Sequence, residues 1–376
     1  MEQKRDAQLN KNQEARLLRL LLILLTAILL VVVLIAVLLI QNLNFSPKPE
    51  ATTTTSGQTP PETPPPGDTR PVFAGGIVPT MPAPTATTVT LSEEIKSQFA
   101  ILIDSETGEI LAGKDYDTRF SPASMTKVMT LIVACERLTM QDLDRMLVFD
   151  EEIYSYVTSG NYSGTSSSLP TESKGVSCIG DRYRIEDLLY GIGVASAADC
   201  TYMIVKAVAG TEEAFVAMMN QKATEMGLVN THFNNAVGFD SEENYTTAKE
   251  MAMIMAYAMQ SERISTYLSK TEDYPIFAHY DKDGADATYR VTLKCSWNSR
   301  LDKYPEFALT TTRLMATKTG YTNQSFMVAG AESLSGQGKY VMVLGNHTSS
   351  ATTITEKFRQ TMIDMELLLN TYVTTS

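Results

Sequence analysis

The chain has 376 residues, a length that allows two or three domains, and a formal net charge of −12. This negative charge excludes nucleic acid as an expected partner, because a phosphate backbone attracts basic surfaces. The four cysteines are widely spaced and contain no Cys-x-x-Cys pair, which argues against a structural zinc site. They are Cys135, Cys178, Cys200 and Cys295.

Residues 20–40 form an apolar run whose only polar member is Thr26. As a helix the run is about 31 Å long, close to the thickness of a bilayer core. Positive charges are concentrated before it and no small-x-small cleavage site follows it. We therefore expect an uncleaved transmembrane signal anchor, with residues 1–19 in the cytoplasm and the rest of the chain on the cell-wall side of the cell membrane. That location permits disulfides, in any of three full pairings, and free buried thiols remain the alternative.

The segment after the apolar run is rich in proline and threonine. Eleven of the fifteen prolines fall between Pro47 and Pro84, in stretches such as "ATTTTSGQTPPETPPPGDT". Such a composition cannot bury enough apolar surface to offset its ordering entropy. Residues 41–91 are therefore predicted to be a disordered, extended linker that spaces the following domain from the membrane.

Residues 92–376 are predicted to fold as one α+β domain. Two strand-like stretches flank the turn "SETG" as a β-hairpin, and helical stretches follow, one of which opens with Thr247 and Glu250 at capping-box spacing. Three further strands and a terminal helix complete the chain. Strands at both ends with helices between them predict one α+β layer with an inserted helical lobe. The stretches are, in order, "SQFAILID", "EILAGK", "TKVMTLIVACERL", "RIEDLLYGIGVASAADCTYMIVKAV", "EEAFVAMMNQKATEM", "AKEMAMIMAYAM", "LMATKTGYT", "SFMVAGAES", "YVMVLGNH" and "TTITEKFRQTMIDMELLLNTYV".

A serine activated by lysine is the nucleophile that the sequence supports best. No histidine lies in a G-x-S-x-G neighbourhood, and neither a phosphate-binding loop nor a dinucleotide fingerprint is present. Ser124 precedes an apolar helical period, so its position at a helix N-terminus would offer backbone N–H groups to an oxyanion. Lys127 lies one turn along the same face and could act as a base once desolvated. The alternative is an N-capping serine followed by a solvated lysine.

A second motif, Lys318-Thr319-Gly320, falls inside the strand-like run "MATKTGYT". Such a strand could present an ammonium, a hydroxyl and an open backbone edge to a substrate carboxylate and carbonyl. Glycine at the third position would avoid crowding a ligand that lies along the edge. Alone, the motif favours an edge strand protected by a lysine over a binding site.

Together these motifs make residues 97–370 resemble the penicillin-recognising serine enzymes, and among them the D-alanyl-D-alanine carboxypeptidases of the low-molecular-mass penicillin-binding proteins. The resemblance implies a β-lactamase/penicillin-binding transpeptidase-like fold, with an antiparallel five-stranded sheet flanked by helices and an inserted helical lobe. It implies no cofactor and no metal. It is carried, in family order, by "SPASMTKVMT", "RIEDLLYGIGVASAADC", "GLVNTHFNNAVGFDSEENYTTAKEMAMI" and "MATKTGYTNQSFMVAGAES".

The resemblance also implies residue roles. Ser124 would attack the terminal peptide bond of a stem peptide ending in D-Ala-D-Ala, with Lys127 taking its proton and Ser196 passing a proton to the leaving amine. Water would then hydrolyse the acyl-enzyme, and β-lactam antibiotics would acylate the same serine as inhibitors.

Substrate binding is implied for the Lys-Thr-Gly strand. Lys318 and Thr319 would hold the substrate's terminal carboxylate, beside Gly320. The backbone amides of Ser124 and Tyr321 would form the oxyanion hole.

The sequence departs from the family pattern at Ala198, where the Ser-x-Asn motif has asparagine. The literal Ser159-Gly160-Asn161 lies in a Ser/Thr/Gly loop without the surrounding motif, and we interpret it as a decoy. The family's Asn-Pro pair reads Asn235-Ala236, which we interpret as a harmless loop change. Three hypotheses follow: an active carboxypeptidase, a serine β-lactamase of the same fold, or a relative that binds wall peptides or β-lactams without turnover.

Overall fold

The structure, a computed structural model, describes residues 69–158, 168–173, 176–347 and 353–373. The predicted cytoplasmic segment and signal anchor, the linker up to residue 68 and the Ser159-Gly160-Asn161 stretch lie outside the described residues. Among the described helices, none combines the length and apolar character needed to cross a bilayer.

Fourteen strands and nine α-helices form the described part of the chain. The strands are β1 (Ala83–Thr90), β2 (Ser97–Asp104), β3 (Glu109–Lys114), β4 (Arg119–Phe120), β5 (Met146–Val148), β6 (Glu172–Ser173), β7 (Val176–Ser177), β8 (Arg182–Arg184), β9 (Thr246–Thr247), β10 (Tyr274–Lys282), β11 (Ala285–Leu293), β12 (Thr312–Tyr321), β13 (Ser325–Ser333) and β14 (Lys339–His347). The helices are α1 (Lys127–Arg137), α2 (Glu151–Thr158), α3 (Ile185–Tyr190), α4 (Ala198–Ala209), α5 (Glu212–Glu225), α6 (Ala248–Ala258), α7 (Glu262–Ser269), α8 (Asn298–Leu301) and α9 (Ile354–Tyr372).

The main sheet has the strand order β1-β3-β2-β14-β13-β12. Helices α6 and α9 both contact β2, β13 and β14, so these central strands are covered by helices. This explains why β13 and β14 are almost continuously apolar instead of alternating. Strand β12, which contains the Lys-Thr-Gly motif, lies at the edge of the sheet.

The predicted α+β class and the hairpin of β2 and β3 are confirmed, whereas the predicted five-stranded antiparallel sheet is wrong. The sixth strand is β1, which pairs with β3 in parallel. It lies within residues 41–91, so the predicted linker extends too far. The threonines of β1 explain why this segment is a strand and not part of the linker. Their β-branched side chains suit an edge strand, and Thr88 Oγ1 donates to Ile110 O at 2.6 Å. Further upstream, Phe73 is also buried in the core.

The helical part of the domain lies between β3 and β12 in the chain. The apolar stretch beginning at Ile185 was predicted as one helical run, but it divides into α3, a π-helical turn over Gly191–Ala195, and α4. Ser196 stands at the break with φ 57°, a left-handed conformation. The predicted cap at Thr247 is confirmed as an N-cap of α6, although the Glu250 carboxylate accepts from Asn230 N and Thr231 Oγ1 instead of closing a box.

All four cysteines are buried and none forms a disulfide, so the open question of pairing resolves to reduced thiols in this structure. Burial raises the pKa of the Cys135 and Cys200 thiols above their usual range.

Candidate active site

The turn that carries Ser124 is enclosed by backbone from two other parts of the chain. Ser124 lies in a 3-10 turn over Ala123–Thr126, directly before α1. A Cβ atom on Gly238 would collide with the carbonyl oxygen of Ala123, and one on Gly320 would lie 3.1 Å from the carbonyl oxygen of Pro122. Glycine at both positions therefore lets a loop and the edge strand β12 approach the serine closely.

Lys127 is in hydrogen-bonding contact with the predicted nucleophile. Its side chain is buried, with 2% exposure, and its Nζ donates to Ser124 Oγ at 3.2 Å and to Val237 O at 2.5 Å. Burial lowers the pKa of Lys127 to about 7, and the negative charge of Asp199 opposes that shift. A substantial neutral fraction of this amine therefore exists at neutral pH, which makes it able to accept the serine proton.

A second lysine-serine pair lies close enough to the first for the two lysines to interact electrostatically. Lys318, with 1% exposure, donates from Nζ to Ser196 Oγ at 2.8 Å and to Thr319 O at 3.0 Å. Burial holds the pKa of Lys318 well below its usual range, and the positive charges of Lys127 and Arg300 act in the same direction. This electrostatic coupling places both lysines in one site. The left-handed turn at Ser196 presents its hydroxyl to that site.

The other predicted binding residues follow one another along β12. Thr319 is buried, whereas Tyr321 is 53% exposed and its ring meets Phe358 edge-on at 5.8 Å. Because β12 pairs only with β13 in its sheet, its other edge is free of strands in the described part of the chain. An extended peptide could add to that edge through main-chain hydrogen bonds.

Ala198 is buried as the first residue of α4, and its side chain offers no hydrogen bond. The next residue, Asp199, is fully buried and accepts from the backbone N–H groups of Ser168 and Leu169 at 2.8 and 2.7 Å. The carboxylate thus ties α4 to a neighbouring loop while it acts electrostatically on Lys127.

Two features of the site were missed by the sequence analysis. One is the role of the loop at Asn235, where the sequence indicated only a harmless loop change. Asn235 Oδ1 accepts from Gly238 N and Phe239 N, which shapes the loop that presents Val237 O to Lys127. An Asn-x-x-Gly spacing, typical of tight turns, was the available signal. Arg300 is the other, and it donates from Nη2 to Gly320 O at 3.0 Å. A lone arginine in the polar stretch "CSWNSRLDK" carries no comparable signal.

An open cleft of about 620 Å³ begins beside the nucleophile turn. Arg119, Ser121, Asp240 and Tyr245 are among the residues that line it. Within the described residues, no group of three or more His, Cys, Asp or Glu side chains is arranged to hold a metal ion. The contact between Lys127 Nζ and Ser124 Oγ is the arrangement that lysine-assisted acyl transfer on a serine needs.

Comparison with known proteins agrees with this geometry. The family described as Peptidase_S11, D-alanyl-D-alanine carboxypeptidase, matches residues 85–344. The chain is 32% identical to the D-alanyl-D-alanine carboxypeptidase DacF of Bacillus subtilis over 185 residues, which are 49% of this chain and 44% of the relative. It is 31% identical to DacA of Escherichia coli over 164 residues, 43% of this chain and 38% of the relative. The matched segment thus spans less than half the length of either relative.

Among solved structures, a mutant of the Streptomyces K15 DD-transpeptidase superposes with a TM-score of 0.58 at 25% identity, covering 73% of this chain and 99% of that chain. A D-alanyl-D-alanine carboxypeptidase from Mycobacterium tuberculosis superposes with a TM-score of 0.52 at 22% identity, covering 82% of this chain and 99% of that chain, and supports the fold alone.

Proposed function

The chain belongs to the D-alanyl-D-alanine carboxypeptidase family of serine peptidases, and on that premise we propose that it removes the terminal D-alanine from peptidoglycan stem peptides. The observation that carries the proposal is the contact between Lys127 Nζ and Ser124 Oγ, made by an amine whose pKa lies at about 7. β-Lactam antibiotics acylate the same serine in this proposal.

Acylation begins when neutral Lys127 accepts the proton of the Ser124 hydroxyl. The serine oxygen then forms a bond to the carbonyl carbon of the penultimate D-alanine, and the carbonyl oxygen becomes an oxyanion. The backbone N–H groups of Ser124 and Tyr321 donate to that oxygen. Removing one such donor typically lowers the rate about 10²–10³-fold.

Collapse of this intermediate breaks the peptide bond and needs a proton on the leaving amine. In this proposal Ser196 donates its hydroxyl proton to the amine and is reprotonated by Lys127, which thereby gives up the proton that it took from Ser124. Lys318 Nζ holds the Ser196 hydroxyl in place by donating to its oxygen. Lys318 and Thr319 hold the substrate's terminal carboxylate. Water hydrolyses the ester on Ser124, which returns the serine hydroxyl and releases the shortened peptide.

We also propose that residues 20–40 anchor the chain in the cell membrane, with residues 1–19 in the cytoplasm and the catalytic domain on the cell-wall side. The apolar run and the positive charges before it support this placement. The proline-rich segment then acts as a spacer between membrane and wall.

A second candidate function is binding without turnover, and Ala198 favours it. Its methyl group cannot make the hydrogen bonds to the first-motif lysine and the substrate backbone that the family's asparagine makes. The contacts between Lys127 and Ser124 and between Lys318 and Ser196 favour turnover, because both pairs form without that asparagine.

The test is to incubate the purified chain with a pentapeptide ending in D-Ala-D-Ala and, separately, with a fluorescent penicillin. Release of free D-alanine with stable penicillin labelling is the expected result. Labelling without D-alanine release would support the binding protein, and rapid penicillin hydrolysis would support the β-lactamase. The Ser124→Ala variant should neither label nor release D-alanine, and labelling of that variant would refute the assignment of the nucleophile.

A further inference from the structure

Arg300 is a buried cation directly behind the Lys-Thr-Gly strand. It lies in the short helix α8, and its side chain is 2% exposed. The guanidinium donates from Nη2 to Gly320 O at 3.0 Å and from Nη1 to Ser325 Oγ at 2.5 Å. The guanidinium carbon, Arg300 Cζ, lies 3.4 Å from the centre of the Phe358 ring in a cation–π contact.

This guanidinium has no acidic partner among the residues that the structure describes. No ion pair of the described part of the chain includes Arg300, and burial alone lowers its pKa, to about 9. A buried charge without a partner costs several kcal/mol even after relaxation. The buried charge acts on the groups that it touches, which are Gly320 O and Ser325 Oγ.

The neighbour that matters is the peptide group between Gly320 and Tyr321. A trans peptide is planar, so its C=O and N–H bonds point in opposite directions within one rigid unit. Holding Gly320 O therefore also sets the direction of the Tyr321 N–H. A cationic donor on the carbonyl polarises the whole peptide, which makes that N–H a stronger donor.

We propose that Arg300 is a positioning residue for the oxyanion hole: through its hydrogen bond to Gly320 O it aims and polarises the Tyr321 N–H that receives the developing negative charge. This inference rests on the proposed function, because the oxyanion belongs to acylation of Ser124. Arg300 itself does not contact the substrate.

The surroundings hold Arg300 in one orientation. Ser325 Oγ is fixed from its far side by a 2.6 Å hydrogen bond with Thr361 Oγ1. Phe358 covers the guanidinium and also meets the Tyr321 ring, so the same aromatic side chain links the arginine to the residue whose N–H it aims. Two directional hydrogen bonds and one stacking contact leave the guanidinium little freedom to rotate.

The test compares Arg300→Met and Arg300→Lys with the wild-type full chain. The substrates are a depsipeptide ester ending in D-alanyl-D-lactate and its thiono analogue, in which sulfur replaces the reacting carbonyl oxygen. When the oxyanion hole is aligned for oxygen, Ser124 is acylated faster by the ester than by the thiono ester. When the hole is misaligned, this difference in rate is lost. Arg313→Met is the matched control, since Arg313 lies on β12, the strand that Arg300 contacts at Gly320, but is exposed and pairs with Glu332.

For Arg300→Met we expect the acylation rate to fall by about 10–10²-fold, the scale of a displaced catalytic group, with KM changed less than about threefold. The ester-to-thiono rate ratio should fall with it. Arg300→Lys should recover part of both, and Arg313→Met should match the wild type. Thermal melts identify any variant that fails to fold, and Arg300→Lys then carries the test.

Unchanged acylation by a folded Arg300→Met protein would overturn the inference and leave the proposed function standing. An equal loss on ester and thiono ester would also overturn it, because a general structural defect does not discriminate between oxygen and sulfur. If the wild type is labelled by penicillin but releases no D-alanine, the carboxypeptidase proposal fails, and the effect of Arg300→Met on penicillin acylation still decides the inference. If the wild type is not acylated at all, both fail.

Discussion

Replacing Lys127 with methionine should stabilise the protein while abolishing its activity. The native Lys127 amine is buried, and burial lowers its pKa from 10.5 to about 7. On folding, the Lys127 amine must either lose its proton or remain charged in an apolar environment, and either outcome costs free energy of folding. Methionine has a similar length and carries neither requirement, although it loses the hydrogen bonds to Ser124 and Val237.

The size of the effect follows from the proton balance. Between pH 7 and 10.5 the unfolded chain binds one more proton at Lys127 than the folded chain, so wild-type stability increases with pH in this window. Below pH 7 both states are protonated and the full cost of about 5 kcal/mol applies. The stability advantage of Lys127→Met should therefore be largest below pH 7 and shrink by about 1.4 kcal/mol per pH unit above it.

Urea unfolding at several pH values between 6 and 10 measures this difference. Ionisable groups that Lys127 does not influence contribute equally to both proteins, so subtracting the two curves leaves the proton binding of Lys127 together with its effect on the pKa of Lys318. Lys282→Met, at an exposed position in the β10–β11 hairpin, controls for removing one positive charge. Fluorescent penicillin should not label Lys127→Met.

A stability difference that does not change with pH would refute the reasoning. It would mean that Lys127 binds its proton equally in the folded and unfolded chain, and the amine could not then be a base with a pKa near 7. The lost hydrogen bonds shift the difference by a constant amount, so they cannot produce or hide the slope.

Three further predictions concern the same site. The acylation rate of the wild type should rise with pH through an apparent pKa near 7, because only neutral Lys127 accepts the serine proton; stopped-flow labelling checks this, and a flat profile from pH 5.5 to 8 would contradict it. Ser196→Ala should slow acylation by the peptide about 10²–10⁴-fold, and a wild-type rate in a single-turnover assay would remove Ser196 from the mechanism. Gly238→Ala should destabilise the fold by about 2–4 kcal/mol, because the new Cβ meets Ala123 O at a positive φ. In urea titrations Gly210→Ala, also at positive φ but with open space around it, should cost only about 1 kcal/mol, and equal losses would show that the collision is relieved.

Local patterns predicted those parts of the site that depend on local structure. Ser124 and Lys127 lie three residues apart at a helix start, so helix geometry alone brings them together. The left-handed turn at Ser196 was not predicted, because the apolar period continues across it and conceals the break. The family resemblance, not the periodicity, indicated that Ser196 belongs to the site.

Features that depend on distant residues could not be predicted in the same way. Strand β1 was hidden by its proline- and threonine-rich composition, since it becomes a strand only by pairing with the edge of β3. Arg300 contacts Gly320 across 20 residues of chain, and no sequence pattern predicts a contact at that separation. The sixth strand and the positioning arginine both follow from tertiary packing.

The burial of all four cysteines has a practical consequence for probes. The folded protein presents no native thiol to alkylating reagents, and the raised pKa values of Cys135 and Cys200 further suppress the reactive thiolate. A cysteine introduced at an exposed position such as Tyr321 would then be the single addressable site for a dye or spin label. Substrate arrival at the β12 edge could be followed spectroscopically without first removing any native cysteine.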